Sequence, residues 1–313
     1  MINNFIVEII DYFDINMFVE TGTLIGETIT TLDDWNYKKA IEVVDINVEY
    51  CRISAYINIL RHSKLFYFMH TGGTSYESFE AGRTSFEKIF KFAHNSMRGW
   101  VDSSDSSTLT AHLNLYELIC AEENRWNFHE LMDKAGFNPI NIPSNFKECT
   151  VYKNDSRLMI KEKTSKDYQD KNKNCLFYLD AHKLDDYPLL EELECISQMS
   201  DYNPIVVIDD FFVPGRSTIA GEGYTIPLPG GPGPSSSWPS HTGPGAEYGY
   251  DMFGEDICGV DYIKDTIKDV TDTIFCCQEQ NAHRRGCGVV FFNRNRKDLQ
   301  DFLSKYPMIE VKI

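Results

Sequence analysis

The chain is poor in positive charge. Its 313 residues contain 30 Lys and Arg against 47 Asp and Glu, which gives a formal net charge of −17. A protein with this average field repels phosphate-rich polymers, whose binding needs clustered basic side chains. The basic clusters that occur are short and mixed with acids or amides (Lys161–Lys163, Lys171–Lys173 and His283–Arg285). We therefore expect no nucleic-acid partner.

Long apolar runs and closed cysteine frameworks are also lacking. No apolar stretch approaches the roughly 20 residues of a membrane span. The first eleven residues carry no basic residue and are interrupted by Glu8 and Asp11, unlike a signal peptide. The nine cysteines include no C-x-x-C pair, and their odd number fits no closed set of disulfides. These features predict reduced thiols, a cytoplasmic location and no membrane partner.

Short runs of apolar and β-branched residues recur along the chain, separated by stretches with helical periodicity. Such runs are typical of buried parallel strands, and a helix with one apolar stripe is predicted over Pro188–Met199. The alternation predicts an α/β protein with a doubly wound, mostly parallel sheet. The predicted strands are Met17–Glu20, Ile41–Ile46, Cys149–Lys153, Leu176–Leu179, Ile205–Ile208 and Gly288–Phe292.

Two segments interrupt this alternation. Residues 57–145 are mainly helical in pattern, with helices predicted over Thr84–Ser96 and over Asn124–Ala135, the latter ending at Gly136. Residues 213–248 are rich in Gly, Pro and Ser and predict a long loop. We therefore divide the chain into a first part of the core (1–56), a helical insertion (57–145) and the remaining core (146–313). The loop leaves the carboxyl edge of the sheet and contains Tyr224, Trp238 and Tyr248, so we expect it to be a lid, with a plain linker as the alternative.

A glycine-containing turn follows the first predicted strand, in the segment Glu20-Thr-Gly22-Thr23-Leu-Ile-Gly26. Glycines there leave room for a ligand to approach the backbone, and a helix start offers N–H groups. The spacing lacks the third glycine of the dinucleotide fingerprint, which argues against a standard NAD site. A simple tight turn between strand and helix is the alternative interpretation.

Asp45 ends the second predicted strand, where a carboxylate can bind the hydroxyls of a ribose. With the glycine turn, this position indicates an adenosine-containing ligand, although a solvated acid at a strand end would look the same. Leu118–Glu122 also has the pattern of a strand ending in an acid, so Glu122 is the rival residue. Asp45 is favoured because its spacing from Gly22 needs no insertion in the first βα unit.

Further acids follow later strands, namely Asp180, Asp209 and Asp210, and His182 lies two residues after Asp180. The carboxyl ends of parallel strands meet at one crevice, which is where such folds bind ligands. Three acids gathered there repel one another unless a cation or protonation relieves them, so the pattern predicts a divalent metal site. Helix capping or turn formation is the alternative for the acids, and a hydrogen-bonded loop histidine for His182.

Taken in order, these motifs resemble the class I S-adenosylmethionine-dependent methyltransferases, and among them the sugar and small-molecule enzymes. The resemblance covers roughly Phe18–Ala55 and Cys149–Phe211 and leaves the helical insertion and the loop unexplained. The segments that carry it are Val-Glu20-Thr-Gly22-Thr-x-x-Gly26, the acid Asp45, Asn-Asp155-Ser156, Tyr-Leu-Asp180-Ala-His182, Pro-Leu-Leu-Glu-Glu-Leu193 and Val-Ile-Asp209-Asp210-Phe.

The resemblance implies roles for these residues. Glu20, Gly22, Thr23 and Gly26 would hold the methionine end of S-adenosylmethionine, Asp45 its ribose, and Asp155 with Ser156 its adenine. Asn154 replaces the usual glycine of the adenine loop. Asp180, Asp209 and Asp210 would bind Mg²⁺ or Mn²⁺. His182 is the candidate general base, and Asp180 is also expected to be catalytic.

The expected activity is O-methylation of a hydroxyl on a sugar or other small-molecule acceptor. A nucleotide-sugar glycosyltransferase with Asp180-Ala-His182 as its metal motif is an alternative, as is a catalytically silent binding module. The sequence names no acceptor and leaves a homo-oligomer open.

Overall fold

The computed structural model describes residues 4–23, 28–29, 32, 39–62, 85–100, 106–137, 148–171, 174–181, 187–199, 202–214, 252–253, 256–278, 286–294 and 296–313. The chain divides into two compact units, which are described separately. The first unit comprises Met1–Ile2 and Thr23–Asp155, and the second comprises Asn3–Gly22 and Ser156–Ile313.

Helices and strands alternate along most of the described chain. The helices are α1 (Asn4–Tyr12), α2 (Val48–His62), α3 (Phe86–Trp100), α4 (Ser106–Ala121), α5 (Phe128–Ala135), α6 (Ser156–Lys163), α7 (Lys166–Lys171), α8 (Leu189–Ser197), α9 (Val260–Ile267) and α10 (Arg296–Lys305). The strands are β1 (Met17–Thr21), β2 (Ala40–Asp45), β3 (Arg125–Asn127), β4 (Glu148–Lys153), β5 (Cys175–Leu179), β6 (Ile205–Ile208), β7 (Met252–Phe253), β8 (Asp256–Ile257), β9 (Thr273–Gln278), β10 (Gly286–Phe291) and β11 (Ile309–Lys312).

The second unit is built on strands in the order β11-β9-β10-β6-β5-β1. β1, β5 and β6 are parallel, whereas β10 runs antiparallel to β6, β9 antiparallel to β10, and β11 antiparallel to β9. The residues of β1, β5 and β6 are all buried, which explains the continuous apolar sequence of β5 and β6 and of Met17–Val19 in β1. Two aromatic rings pack against this sheet: Phe13, directly after α1, and Phe302 of α10 both contact Phe291 of β10.

The first unit combines parallel β2 and β4 with β3, which pairs antiparallel to β4. Helix α2 packs against α3, α4 and α5. Its residues from Ile53 to Leu60 are buried on all sides, so this helix forms the centre of the unit. Tyr56 on α2 contacts Phe86 and Phe90 on α3, and Phe90 stacks on Tyr116 of α4.

The predicted α/β class is confirmed, with sheet pairings that are parallel and antiparallel. Such a mixture is common among doubly wound folds and compatible with a Rossmann-like architecture. All six predicted strands occur, as β1, β2, β4, β5, β6 and β10, and the predicted helix over Pro188–Met199 is α8. The helix predicted from Thr84 begins at Phe86 and continues to Trp100.

Two predicted elements are wrong. The segment Leu118–Glu122 is not a strand, because Leu118–Ala121 forms the last turn of α4. The helix predicted from Asn124 begins only at Phe128, since Arg125–Asn127 pairs with β4 as β3. Asn127 then caps α5, its Oδ1 accepting from the Glu130 N–H at 3.1 Å. Gly136 ends α5 in the left-handed conformation, as predicted.

The predicted divisions at residues 56 and 145 stay predictions, and nearly all of the predicted lid loop (213–248) lies outside the described residues. Among the helices that are described, none has both the length and the apolar character needed to cross a membrane.

Candidate functional site

Glu20 and Gly22 lie at the carboxyl end of β1 in the second unit. Glu20 is 1% exposed and directly opposite Tyr178 of β5. Gly22 has φ +77°, and a Cβ placed on it would lie 2.3 Å from the carbonyl oxygen of Asp180. The close approach of the Asp180 backbone therefore requires glycine here, whether or not a ligand binds. Room for a ligand was the predicted reason for a glycine at position 22, but the contact with Asp180 is enough to explain the glycine.

Asp180 follows β5 and is held against β1 through its backbone. Its N–H donates to Thr21, reaching the carbonyl oxygen at 3.2 Å and the hydroxyl at 3.3 Å. The residue is only half-buried. Asp180 thus follows a buried strand but is not itself fully buried.

Asp209 and Asp210 follow β6 and are buried, with exposures of 5% and 4%. The backbone N–H of Asp209 donates to the carbonyl of Leu179 at 3.1 Å, and the Cys287 thiol donates to Asp209 Oδ1 at 3.8 Å. Burial raises the pKa of Tyr178 well above its usual value, and the nearby Asp209 carboxylate and its hydrogen bond with the Tyr178 hydroxyl add to this. Asp209 is therefore surrounded by donors from the protein itself.

Asp210 has φ +48°, a left-handed conformation that is uncommon for a residue with a side chain. The backbone turns sharply there, and the next residue, Phe211, donates its N–H to the carbonyl of Gly286 at 2.8 Å. Backbone of this kind persists only where the surrounding structure enforces it, and it occurs often at functional sites. The turn after β6 is thus held in an unusual conformation.

Asp180, Asp209 and Asp210 are the residues predicted to bind a metal. Within the part of the chain that the structure describes, no three His, Cys, Asp or Glu side chains are grouped so that they could hold a metal ion. The described carboxylates of Asp180, Asp209 and Asp210 therefore do not fit a preformed cation site. Mg²⁺ or Mn²⁺ stays a prediction. His182, the predicted base, lies outside the described residues.

Thr23 is the first residue of the glycine turn that belongs to the first unit. Its N–H donates to the carbonyl of Val44 in β2 at 3.1 Å, and the residue is 4% exposed. Its hydroxyl oxygen is buried and has no hydrogen-bond partner among the described residues. Gly26, the other predicted glycine of this turn, lies outside them.

Asp45 ends β2 and is half-buried. Its Oδ1 accepts from the N–H of Asn47 at 2.7 Å, and its carbonyl oxygen accepts from the N–H of Asn154 at 3.1 Å. Asn154 Oδ1 in turn accepts from the Asp155 N–H at 2.9 Å. The structure thus brings the predicted ribose acid and the predicted adenine loop to one edge of the first unit. Ser156 is the first residue of α6, in the second unit.

Glu122, the alternative ribose-binding acid, does not follow a strand. It follows α4, and its N–H donates to the Leu118 carbonyl at 3.2 Å, as in a continuing helix. Glu122 was an alternative to Asp45 only because a strand was predicted before it. Asp45 does end a strand.

The first unit contains a row of three polar side chains that was not predicted from the sequence: buried Tyr56, buried His112 and half-buried His94. The Tyr56 hydroxyl lies 2.5 Å from His112 Nε2, and His112 Nδ1 lies 3.3 Å from His94 Nδ1. The two imidazole planes differ by 7°. Burial, and then the neighbouring His94, lower the pKa of His112 from 6.5 to about 3. The spacing of Tyr56, His94 and His112 along the sequence does not predict that they meet, because they lie on three different helices.

Tyr178 and Cys287 were missed in the second unit. Each lies on a strand with its side chain near Asp209. A signal for Tyr178 does exist, because it precedes Asp180 by two residues and so shares its face of the strand.

Comparisons of the chain with protein-family models, with curated proteins and with solved structures find no match.

Proposed function

We propose that the chain is an S-adenosylmethionine-dependent O-methyltransferase that acts on a hydroxyl of a sugar or other small molecule in the cytoplasm. The α/β fold supports this proposal, as does the position of the predicted cofactor residues. Glu20 and Gly22 lie at the carboxyl end of β1, and Asp45 lies at the carboxyl end of β2. Ligands of open α/β sheets bind at such strand ends.

The observation that carries the proposal is the buried hydroxyl of Thr23, which lacks a hydrogen-bond partner among the described residues. A buried polar group left in this state costs roughly 1–3 kcal/mol. The carboxylate or the ammonium group at the methionine end of the cofactor would supply the missing hydrogen bond.

Charge in the second unit also favours this cofactor. Four carboxylic side chains lie at or just after the ends of its parallel strands, and a cationic ligand is attracted to such a place. S-adenosylmethionine has both an ammonium group and a positively charged sulfur. The four residues are Glu20, Asp180, Asp209 and Asp210.

The mechanism follows from what these side chains can do. The bound cofactor supplies an activated methyl group, so the chain must align an acceptor hydroxyl and remove its proton. Among the described residues, half-buried Asp180 is the acid placed to contact an acceptor, whereas Asp209 is buried beside Tyr178 and Cys287. His182 remains the predicted base. No step is assigned to a metal.

The first experiment measures binding of S-adenosylmethionine and S-adenosylhomocysteine to the full-length protein by calorimetry. Asp45→Asn should weaken binding about 10- to 100-fold, because a charged hydrogen-bond acceptor contributes about 1.5–3 kcal/mol. Glu122→Gln is the matched control and should bind like the wild type. Absence of binding of both ligands to the wild type would overturn the proposal.

Thr23→Val gives a sharper test, because it removes the hydroxyl and keeps the shape of the side chain. The ligand-free variant should be at least as stable as the wild type towards urea, since a buried unsatisfied group is removed. The same variant should bind S-adenosylmethionine several-fold more weakly. A loss of stability in the ligand-free variant would show that the hydroxyl already has a partner in the protein, and would contradict the argument.

Activity assays separate the remaining alternatives. Methyl transfer to sugars that stops in chelator and returns with Mg²⁺ or Mn²⁺ would establish the predicted metal, and full activity in chelator would leave His182 as a metal-free base. Binding of a nucleotide sugar in place of S-adenosylmethionine would instead favour the glycosyltransferase.

A further inference from the structure

Two cysteines face each other across the antiparallel strands β9 and β10. Cys277 is directly opposite Cys287 in the register of these strands. Directly opposed residues point to the same face of a sheet, so both thiols lie on one side. All nine cysteines are within the described residues, and none is in a disulfide. In the strand pairings that the structure describes, no other two cysteines are opposed.

The separation of the two residues follows from the hydrogen bonds of β10. Gly286 and Phe292 direct their backbone groups towards β6, since Gly286 accepts from Phe211 and Phe292 donates to Pro204. Alternation along the strand then directs the backbone of Cys287 towards β9. Cys277 and Cys287 therefore form a hydrogen-bonded pair, whose Cα atoms lie about 5.5 Å apart. Disulfides most often join Cα atoms about 5.5–6 Å apart.

We propose that Cys277 and Cys287 form a reversible disulfide, which makes this hairpin a redox-sensitive modification site. The Cβ atoms of a hydrogen-bonded pair lie near the upper end of the range of about 4.5–5.5 Å, roughly 1 Å or more beyond the 3.5–4.5 Å of a disulfide. The strands must therefore move towards each other when the bond forms, and the bond is strained. The two cysteines lie next to the ends of the paired strands, since β9 ends at Gln278 and β10 begins at Gly286. A bond formed under such strain is reduced readily.

The two thiols differ in access, which defines the order of the reaction. Cys277 is partly exposed, whereas Cys287 is buried. The Cys277 thiolate attacks a small-molecule disulfide such as oxidised glutathione, forms a mixed disulfide and releases one thiol. The Cys287 thiolate then attacks the Cys277 sulfur and releases the second thiol. Two protein thiols and one small disulfide thus give one protein disulfide and two small thiols.

Formation of this bond changes the surroundings of Asp209. In the reduced protein the Cys287 thiol donates to Asp209 Oδ1 at 3.8 Å. The disulfide has no proton to donate, so the buried carboxylate loses one of its donors. Oxidation at the hairpin therefore acts on the turn after β6. This consequence would modulate catalysis only if the proposed function holds, whereas the disulfide itself does not depend on it.

The test treats the full-length protein with oxidised glutathione and identifies linked peptides by mass spectrometry without reduction. The wild type should lose two hydrogens, give a Cys277–Cys287 link and return to its first mass with dithiothreitol. Cys277→Ser should form no link. Cys276→Ser is the matched control and should link like the wild type, because Cys276 is opposite Gly288 and burial raises the pKa of its thiol to about 12.

Two results would overturn the proposal. One is a wild-type protein in which Cys277 becomes a stable mixed disulfide with glutathione and no link to Cys287 appears. The other is a link that uses Cys276 and persists in Cys277→Ser. Since Cys277 is partly exposed, its substitution by serine is expected to leave the fold intact, and urea unfolding of the reduced variant checks this.

Discussion

Both units place acids at the carboxyl ends of parallel strands, but the two units use these acids differently. In the second unit, Asp209 is buried and accepts from Cys287, with the Tyr178 hydroxyl beside it. In the first unit, Asp45 is half-buried and holds a local turn through the N–H of Asn47. The same sequence pattern thus gives an enclosed carboxylate at Asp209 and a half-buried one at Asp45. The donors on neighbouring strands make the difference.

The largest expected effect compares two glycines that both have positive φ. A Cβ at Gly22 in the second unit would lie 2.3 Å from the Asp180 carbonyl oxygen, whereas one at Gly136 in the first unit would meet no atom within 4 Å. Gly22→Ala should cost more than about 4 kcal/mol or prevent folding. Gly136→Ala should cost only about 1–2 kcal/mol, the penalty of the left-handed conformation. Urea unfolding of both variants measures this, and equal losses would contradict the packing at Gly22.

The next effect concerns His112 and is specific to the first unit. Its pKa falls from 6.5 to about 3 on folding, so the unfolded chain binds a proton in this range and the folded chain does not. Neutral His112 therefore does not lower the free energy of unfolding above pH 6.5. As the pH falls from 6.5 towards 3, its proton uptake in the unfolded chain lowers the free energy of unfolding by about 1.4 kcal/mol per pH unit.

Urea unfolding of the wild type and His112→Gln at pH 7, 6, 5 and 4 isolates this contribution, because the other acids titrate in both proteins. The wild type should lose stability more steeply below pH 6.5 than the variant. Parallel curves for the two proteins would show that His112 is protonated as easily in the folded chain as in the unfolded one.

The smallest effect compares one tyrosine hydroxyl from each unit. Tyr178→Phe removes the hydroxyl beside buried Asp209 and should cost about 2 kcal/mol, because a buried carboxylate loses a donor. Tyr152→Phe is the counterpart in the first unit, where the hydroxyl donates to partly buried Glu42 at 3.2 Å. Its loss should be below about 1 kcal/mol. The reverse order of the two losses would mean that Glu42 depends more on its tyrosine donor than Asp209 does, and would contradict the enclosure of Asp209.

Much of the fold could be predicted because its strands are continuous buried runs. β5 and β6 are apolar throughout and β1 is apolar from Met17 to Val19, and such runs differ clearly from their polar neighbours. The helix end at Gly136 was predictable for a local reason, since glycine tolerates the left-handed cap. The error at Leu118–Glu122 concerns a short apolar run, which fits a strand and a helix equally well. Arg125–Asn127 is only three residues long, too short to show the alternation of a strand.

The candidate site was predictable only as a set of positions. Acids at strand ends could be located from the strands, and Asp45 and Asp180 do lie at such ends. Their surroundings could not be predicted, because the partners of Asp209 come from β5 and β10, which are distant in the chain. Nor could the sequence reveal that the Asp180 backbone requires Gly22 to be glycine.

The sequence by itself determined the α/β class, the position of its apolar strands and the acids that end them, because these properties depend on residue type and local spacing. Only the tertiary structure decided which carboxylates are enclosed, that Tyr56, His112 and His94 form one polar chain, and that Cys277 opposes Cys287. The physical reason is strand register and helix packing. Both bring together residues far apart in sequence, and a shift of one residue in register would turn each side chain to the other face of the sheet.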